Sequence, residues 1–170
     1  LNKDESYAFR FDVGLHIVAS GPILCVQYLT AGLSGSFDPR LPNGDPSMIV
    51  LQPREQWTRS AMLTTPSLAA RTQGAGPVGW RHFLHLSIDT NGLAGLLVDG
   101  APPSFTYSFR TGNWIIGGVA LGVGNHTITS ASPFGATTYG NSAQDAYGYP
   151  LAGVVRAWRL EAEPLSGVVC

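Results

Sequence analysis

Glu161 and Glu163 stand two residues apart, a spacing that puts both carboxylates on one face of an extended strand. Two carboxylates flanking a glycosidic bond are the machinery of glycoside hydrolysis. This pair, however, ends a strand beside Pro164, and the other glutamates of the chain are Glu5 and Glu55. His82 and His85 are three apart, which places them on opposite faces of a strand, where they cannot chelate one ion. Gly74 to Gly79 matches G-x-G-x-x-G, but it contains Pro77 and runs into a strand pattern. Phosphate cradling by that motif needs a helix N-terminus, so the segment reads as a loop. No G-x-S-x-G elbow is present. We expect no catalytic residues and no enzyme.

Recognition chemistry is better represented. Tyr139, Asn141, Gln144, Asp145, Tyr147 and Tyr149 lie among small residues between Phe134 and Tyr149. Aromatic faces stack on sugars or protein, while amides and carboxylates supply adaptable hydrogen bonds. Trp57 and Arg59, beside Gln56, form a second candidate patch. The alternative is that these rings only cap the edge of the fold. Cys25 and Cys170 are the two cysteines. Paired, they would close a long loop worth roughly 4–5 kcal/mol in the chain-entropy model. Unpaired, Cys25 is a small hydrophobe in an apolar run. Asn125-His126-Thr127 is an acceptor triplet for N-glycosylation, which favours an extracellular or surface-exposed setting (secreted, cell surface or virion).

Composition narrows the partners. The chain has 170 residues, 44% of them hydrophobic, enough for one domain with a sizeable core. Only 12% are charged, the net charge is −1, and Lys3 is the sole lysine. A chain without a basic stripe has no means of neutralising a phosphate backbone, so nucleic acid is excluded. Its apolar runs are too short and interrupted for membrane insertion. Leu1 is followed by no charged-then-apolar leader, so we expect a processed piece or a module of a larger protein.

These residues need strands to position them. No window carries a helical apolar period free of Gly and Pro. Tyr7, Phe9, Phe11 and Val13 alternate with polar or small residues as in a half-buried strand. Ile23 to Leu29, Met48 to Leu51, Thr58 to Leu63, Trp80 to Asp89, Leu93 to Val98, Ser104 to Phe109, Trp114 to Leu121 and Ala152 to Leu160 follow. Pro53 to Gln56 reads as a turn. Asn91-Gly92 and Asp99-Gly100 read as tight hairpin turns joining neighbouring strands. Gly122 to Tyr149 reads as long loops because Gly, Ser, Thr, Asn and Tyr dominate it. The expected fold is a single all-β domain over residues 1–170, a two-sheet antiparallel β-sandwich.

Trp80-Arg81-His82, the hairpin, and Leu97-Val98-Asp99-Gly100 resemble the laminin G-like and pentraxin-like branch of the concanavalin A-like jelly rolls. Trp114 to Gly124 and Leu151 to Trp158, then Pro164-Leu165-Ser166, resemble that family's later strands, with Leu151 where an aromatic is usual. The likeness covers residues 80–166. It implies a lectin-like binding or adhesion module that recognises glycan or protein ligands through edge loops. The alternative it implies is a structural module packed against neighbouring subunits in an assembly. Calcium is the one cofactor it implies, with Asp38, Asp45, Asn141 and Asp145 as loop candidates. The family's hydrolases carry a third acidic residue that Glu161 and Glu163 lack, and no galectin-type sugar signature is intact here.

Overall fold

The computed structural model describes residues 5–10, 14–29, 46–69, 71–73, 76–142 and 145–151. The architecture is all-β, an antiparallel β-sandwich. Its strands are β1 (Val26–Leu29), β2 (Ser47–Val50), β3 (Thr58–Thr65), β4 (Arg71–Gln73), β5 (Gly76–Val78) and β6 (Arg81–Asp89). They continue with β7 (Leu97–Val98), β8 (Phe105–Thr111), β9 (Trp114–Leu121), β10 (Gly124–Ser142) and β11 (Asp145–Pro150).

The main sheet runs β11-β10-β6-β9-β8, all antiparallel. The first part of β10, from Gly124 to Thr129, pairs instead with β3 on one side and β7 on the other. The register shifts between Thr129 and Phe134, where Pro133 has no N–H for a ladder. One continuous strand thus supplies both layers of the sandwich. The core lies between them: Leu63, Val98 and Ile128 from one layer meet Leu84, Leu86, Ile88, Val119 and Phe134 from the other. β1 pairs with β2, and β4 with β5.

β10 corrects the expectation that Gly122 to Tyr149 forms long loops. His126 and Ile128 are buried, and Asn125, Thr127 and Thr129 are exposed, the alternation of a half-buried strand. Phe134 to Thr138 are then all buried, since this stretch is flanked by strands and covered on both faces. The small residues belong there because rings and branched chains lie on them. A Cβ on Gly135 would meet the Trp57 indole at 2.5 Å, and one on Gly148 would meet Ile49 at 2.6 Å. The Tyr147 ring covers Gly140 in the same way.

Asn91-Gly92 is a second correction. Thr90–Gly95 forms a 3-10 helix and no hairpin. The Asp89 side chain accepts from the Asn91 N–H at 2.9 Å, capping that turn and outcompeting a two-residue bend. The expected strand from Leu93 shrinks to β7, which pairs with β10 and not with β6. Asp99 (φ 53°) and Gly100 (φ 79°) do make the expected tight turn. It closes only the Val98–Ala101 bridge, because β8 pairs with β9.

Residues 7–10 form no strand, and Tyr7 and Phe9 pack ring against ring at 5.7 Å while both stay exposed. Phe11 to Val13 and Ala152 to Leu160 lie outside the described residues. Arg54–Gln56 is a 3-10 turn, as Pro53 to Gln56 suggested. Gly76–Val78, expected as loop, is strand β5.

Gly92 is buried, and a Cβ there would come within 2.6 Å of the Ser132 Cβ and 3.0 Å of Ile88. Gly92→Ala should therefore cost about 1–3 kcal/mol by overpacking. Urea unfolding measures it; a loss below a few tenths would show that this contact is slack.

Candidate functional site

Period-two alternation along β6 sends His82, Leu84, Leu86 and Ile88 inward and turns Phe83 and His85 to the outer face. The opposite-face expectation for His82 and His85 therefore holds. On that outer face, register brings Tyr139 of β10 beside Phe83, and Gly118 of β9 beside His85. Tyr107 of β8 lies opposite Gly118. With no Cβ on Gly118, the Tyr107 ring lies flat over β9 and its hydroxyl is hydrogen-bonded to Nε2 of His85.

The rings form a continuous strip. Phe83 stacks on Tyr139 at 5.0 Å; His85 meets Tyr139 edge-on at 4.8 Å and Tyr107 edge-on at 5.5 Å. Phe109 extends it 5.9 Å beyond Tyr107. Burial pushes His85 down to about 4 and the Tyr139 hydroxyl up to about 12. Both side chains are neutral at pH 7, so the strip carries no charge. Its outer end is partly open to solvent, with Tyr107 37% and Phe109 36% exposed and Gly14 lying against Phe109 and Ile116. Flat, neutral, pre-packed rings suit contact with a partner and offer no activated nucleophile.

A second ring cluster lies on the opposite face of the main sheet. Trp80 stacks on His82 at 6.4 Å and on Tyr147 at 5.9 Å, and Tyr147 stacks on Tyr149 at 6.1 Å. The Tyr147 hydroxyl lies 2.7 Å from His82 Nδ1. The Tyr149 hydroxyl donates to the Thr64 carbonyl at 3.0 Å, tying β11 to β3 and so one layer to the other. Trp80 Nε1 donates to the Ala69 carbonyl at 3.1 Å. Burial, and then the neighbouring His126, lowers the His82 pKa. Burial pushes the Tyr147 hydroxyl to about 12. These rings fasten the sandwich end.

Asp99 clamps the tight turn to β10. Its Oδ1 accepts from the Thr127 N–H at 2.8 Å, and its Oδ2 lies 2.7 Å from His126 Nδ1. The His126 bond, then the Thr127 N–H, holds the Asp99 carboxyl below its ordinary range.

The tyrosines expected as one loop cluster are thus divided by a sheet. Tyr139 faces outward, whereas Tyr147 and Tyr149 face the other way. Asn141 is half-buried in β10 with its Oδ1 buried and unpartnered, and Asp145 opens β11 opposite Ser142. Gln144 lies outside the described residues. Trp57, half-buried, covers Gly135 and meets Trp114 edge-on at 5.5 Å, and Arg59 is exposed on β3. Arg54 is the arginine in that cluster, 4.7 Å over the Trp114 ring.

Sequence reasoning missed Phe83, His85, Tyr107 and Phe109 as a unit. The signal was the Y-x-F spacing of Tyr107 and Phe109 with Gly118 in the neighbouring apolar run, which leaves room for a ring, whereas Phe105 turns to the core over Gly117.

Among the described residues, no three His, Cys, Asp or Glu side chains cluster as metal ligands. Asp38, Asp45, Glu161 and Glu163 lie outside them. Cys25 is half-buried, with its carbonyl accepting from Leu51 N–H at 2.9 Å; Cys170 lies outside the described residues. No helix among the described residues is long and apolar enough to cross a membrane.

A family model described as IgGFc binding protein matches residues 1–140. That family, and not the concanavalin A-like group, is the one whose model fits. No curated protein and no solved structure matches the chain.

The strip makes stability depend on pH. The folded state holds His85 near 4 while the unfolded chain binds its proton near the ordinary value of 6.5. Between those values the unfolded state carries more protons, so stability should fall as pH drops from 6.5 to 4. Urea midpoints across this window should decline, and His85→Phe should flatten part of the decline. An unchanged slope in the variant would show that His85 is not desolvated.

Proposed function

The chain belongs to the IgGFc binding protein family, and from that premise we propose that it is a non-catalytic protein-binding module whose partner is the Fc region of immunoglobulin G. The contact surface is the outer aromatic strip of Phe83, His85, Tyr107, Phe109 and Tyr139. The observation that carries the surface is their contiguity across four paired strands, with Tyr107 and Phe109 partly open at one end. Aromatic side chains dominate interface hot spots because they bury large area at low entropic cost and exclude water from their surroundings. The neutral His85 removes the desolvation penalty that a charge would impose there. Packing on Gly118 pre-orders Tyr107, so less freedom is lost on docking. Such a module acts outside the cell, and no cofactor is needed for this contact.

Biolayer interferometry against immobilised Fc, with Fab as control, tests the reading. The chain should bind Fc and not Fab. Tyr107→Ala and Phe109→Ala should each cost about 2 kcal/mol, roughly a thirtyfold weakening. Met62→Ala, on the exposed outer face of β3, should change nothing. No Fc binding would overturn the partner. Binding indifferent to both ring deletions would overturn the surface. A glycan array run alongside tests the lectin-like alternative, since exposed tyrosine faces also stack on sugar rings.

A further inference from the structure

The Asn125-His126-Thr127 triplet lies on β10, where alternation turns Asn125 and Thr127 outward and His126 inward. Asn125 is exposed, and its Oδ1 is the amide end engaged, accepting from Thr64 Oγ1 at 2.7 Å. Nδ2, the atom that glycosylation modifies, makes no hydrogen bond among the described residues. Thr127 is exposed with its hydroxyl likewise unbonded there, while its backbone N–H is held by Asp99. The acceptor amide and the hydroxyl that a transferase reads are therefore presented together on one flat face.

That face holds an unexplained apolar group. Met62 is 73% exposed on β3 among Ser60, Thr64, Asn125 and Thr127. It is the register partner of Thr127, and Thr64 is the partner of Asn125. Met62 is thus the diagonal neighbour of Asn125, roughly 7–8 Å away along the ladder. We propose that Asn125 carries an N-linked glycan whose first sugars lie over Met62 and close this face of the sandwich to partners. In the transfer, Nδ2 bonds to the anomeric carbon of an oligosaccharide carried on a polyprenyl pyrophosphate. The bond from that carbon to the pyrophosphate oxygen breaks, the lipid pyrophosphate leaves with the electron pair, and the amide loses one proton to a base. No oxidant or reductant is involved.

The test is secretion of the chain from a mammalian host, followed by intact mass and peptide mapping. The expected result is a mass increase removed by peptide-N-glycosidase, with Asn125 converted to Asp. Thr127→Ser should retain the modification, and Thr127→Ala and Asn125→Gln should lose it. Secreted protein with unmodified Asn125 would overturn the proposal. The cover over Met62 has its own readout. Peroxide should oxidise Met62 roughly threefold or more slowly before glycan removal than after, because oxidation follows exposure. Equal rates would overturn the shielding while leaving the attachment site in place.

Discussion

The fold depends on the double pairing of β10. Its first part completes the layer with β3 and β7, and its second part occupies the middle of the main sheet between β6 and β11. The partner change at Thr129–Phe134 passes the same backbone from one layer to the other. Ile128 and Phe134, both fully buried, then meet in one core. Losing either set of pairings would expose the apolar faces of both layers, so the two layers stand or fall together.

The recognition surface follows from that arrangement. Because β10 is central, Tyr139 stands beside β6, where it can stack on Phe83 and meet His85. β9 carries glycines at Gly117 and Gly118, which lets the rings of β8 lie down on the sheet. Aromatics planted over glycines recur at Trp57 on Gly135 and Tyr147 on Gly140. The same device serves both faces: the Tyr147 ring over Gly140 fastens the inner side, and the Trp57 and Tyr107 rings lie over Gly135 and Gly118 on the outer side.

Much of the fold was legible because period two is a strong signal. Thr58 to Leu63, Trp80 to Asp89 and Trp114 to Leu121 are strands, as their alternation and apolar runs require. β10 was not legible because its composition imitates a loop. Its glycines have the composition of turn formers, whereas Gly135 and Gly140 are what fits beneath a tryptophan and a tyrosine. The Asn91-Gly92 turn failed for a local reason, since Asp89 caps the following N–H and turns the chain into a 3-10 helix. The site was legible only in part. Tyr139 was singled out, but grouping it with Tyr147 required knowing that a sheet runs between them. His85 and Tyr107 come together only through the register of β8, β9 and β6.

Amide hydrogen exchange across residues 124–142 tests the dependence on β10 most directly. If β10 is the shared central strand, the amides from Phe134 to Gly140 exchange slowest in the chain and only through global unfolding. Exchange there as fast as in the exposed, strand-free residues 15–24 would contradict the shared-strand architecture and dissolve the aromatic strip built on it.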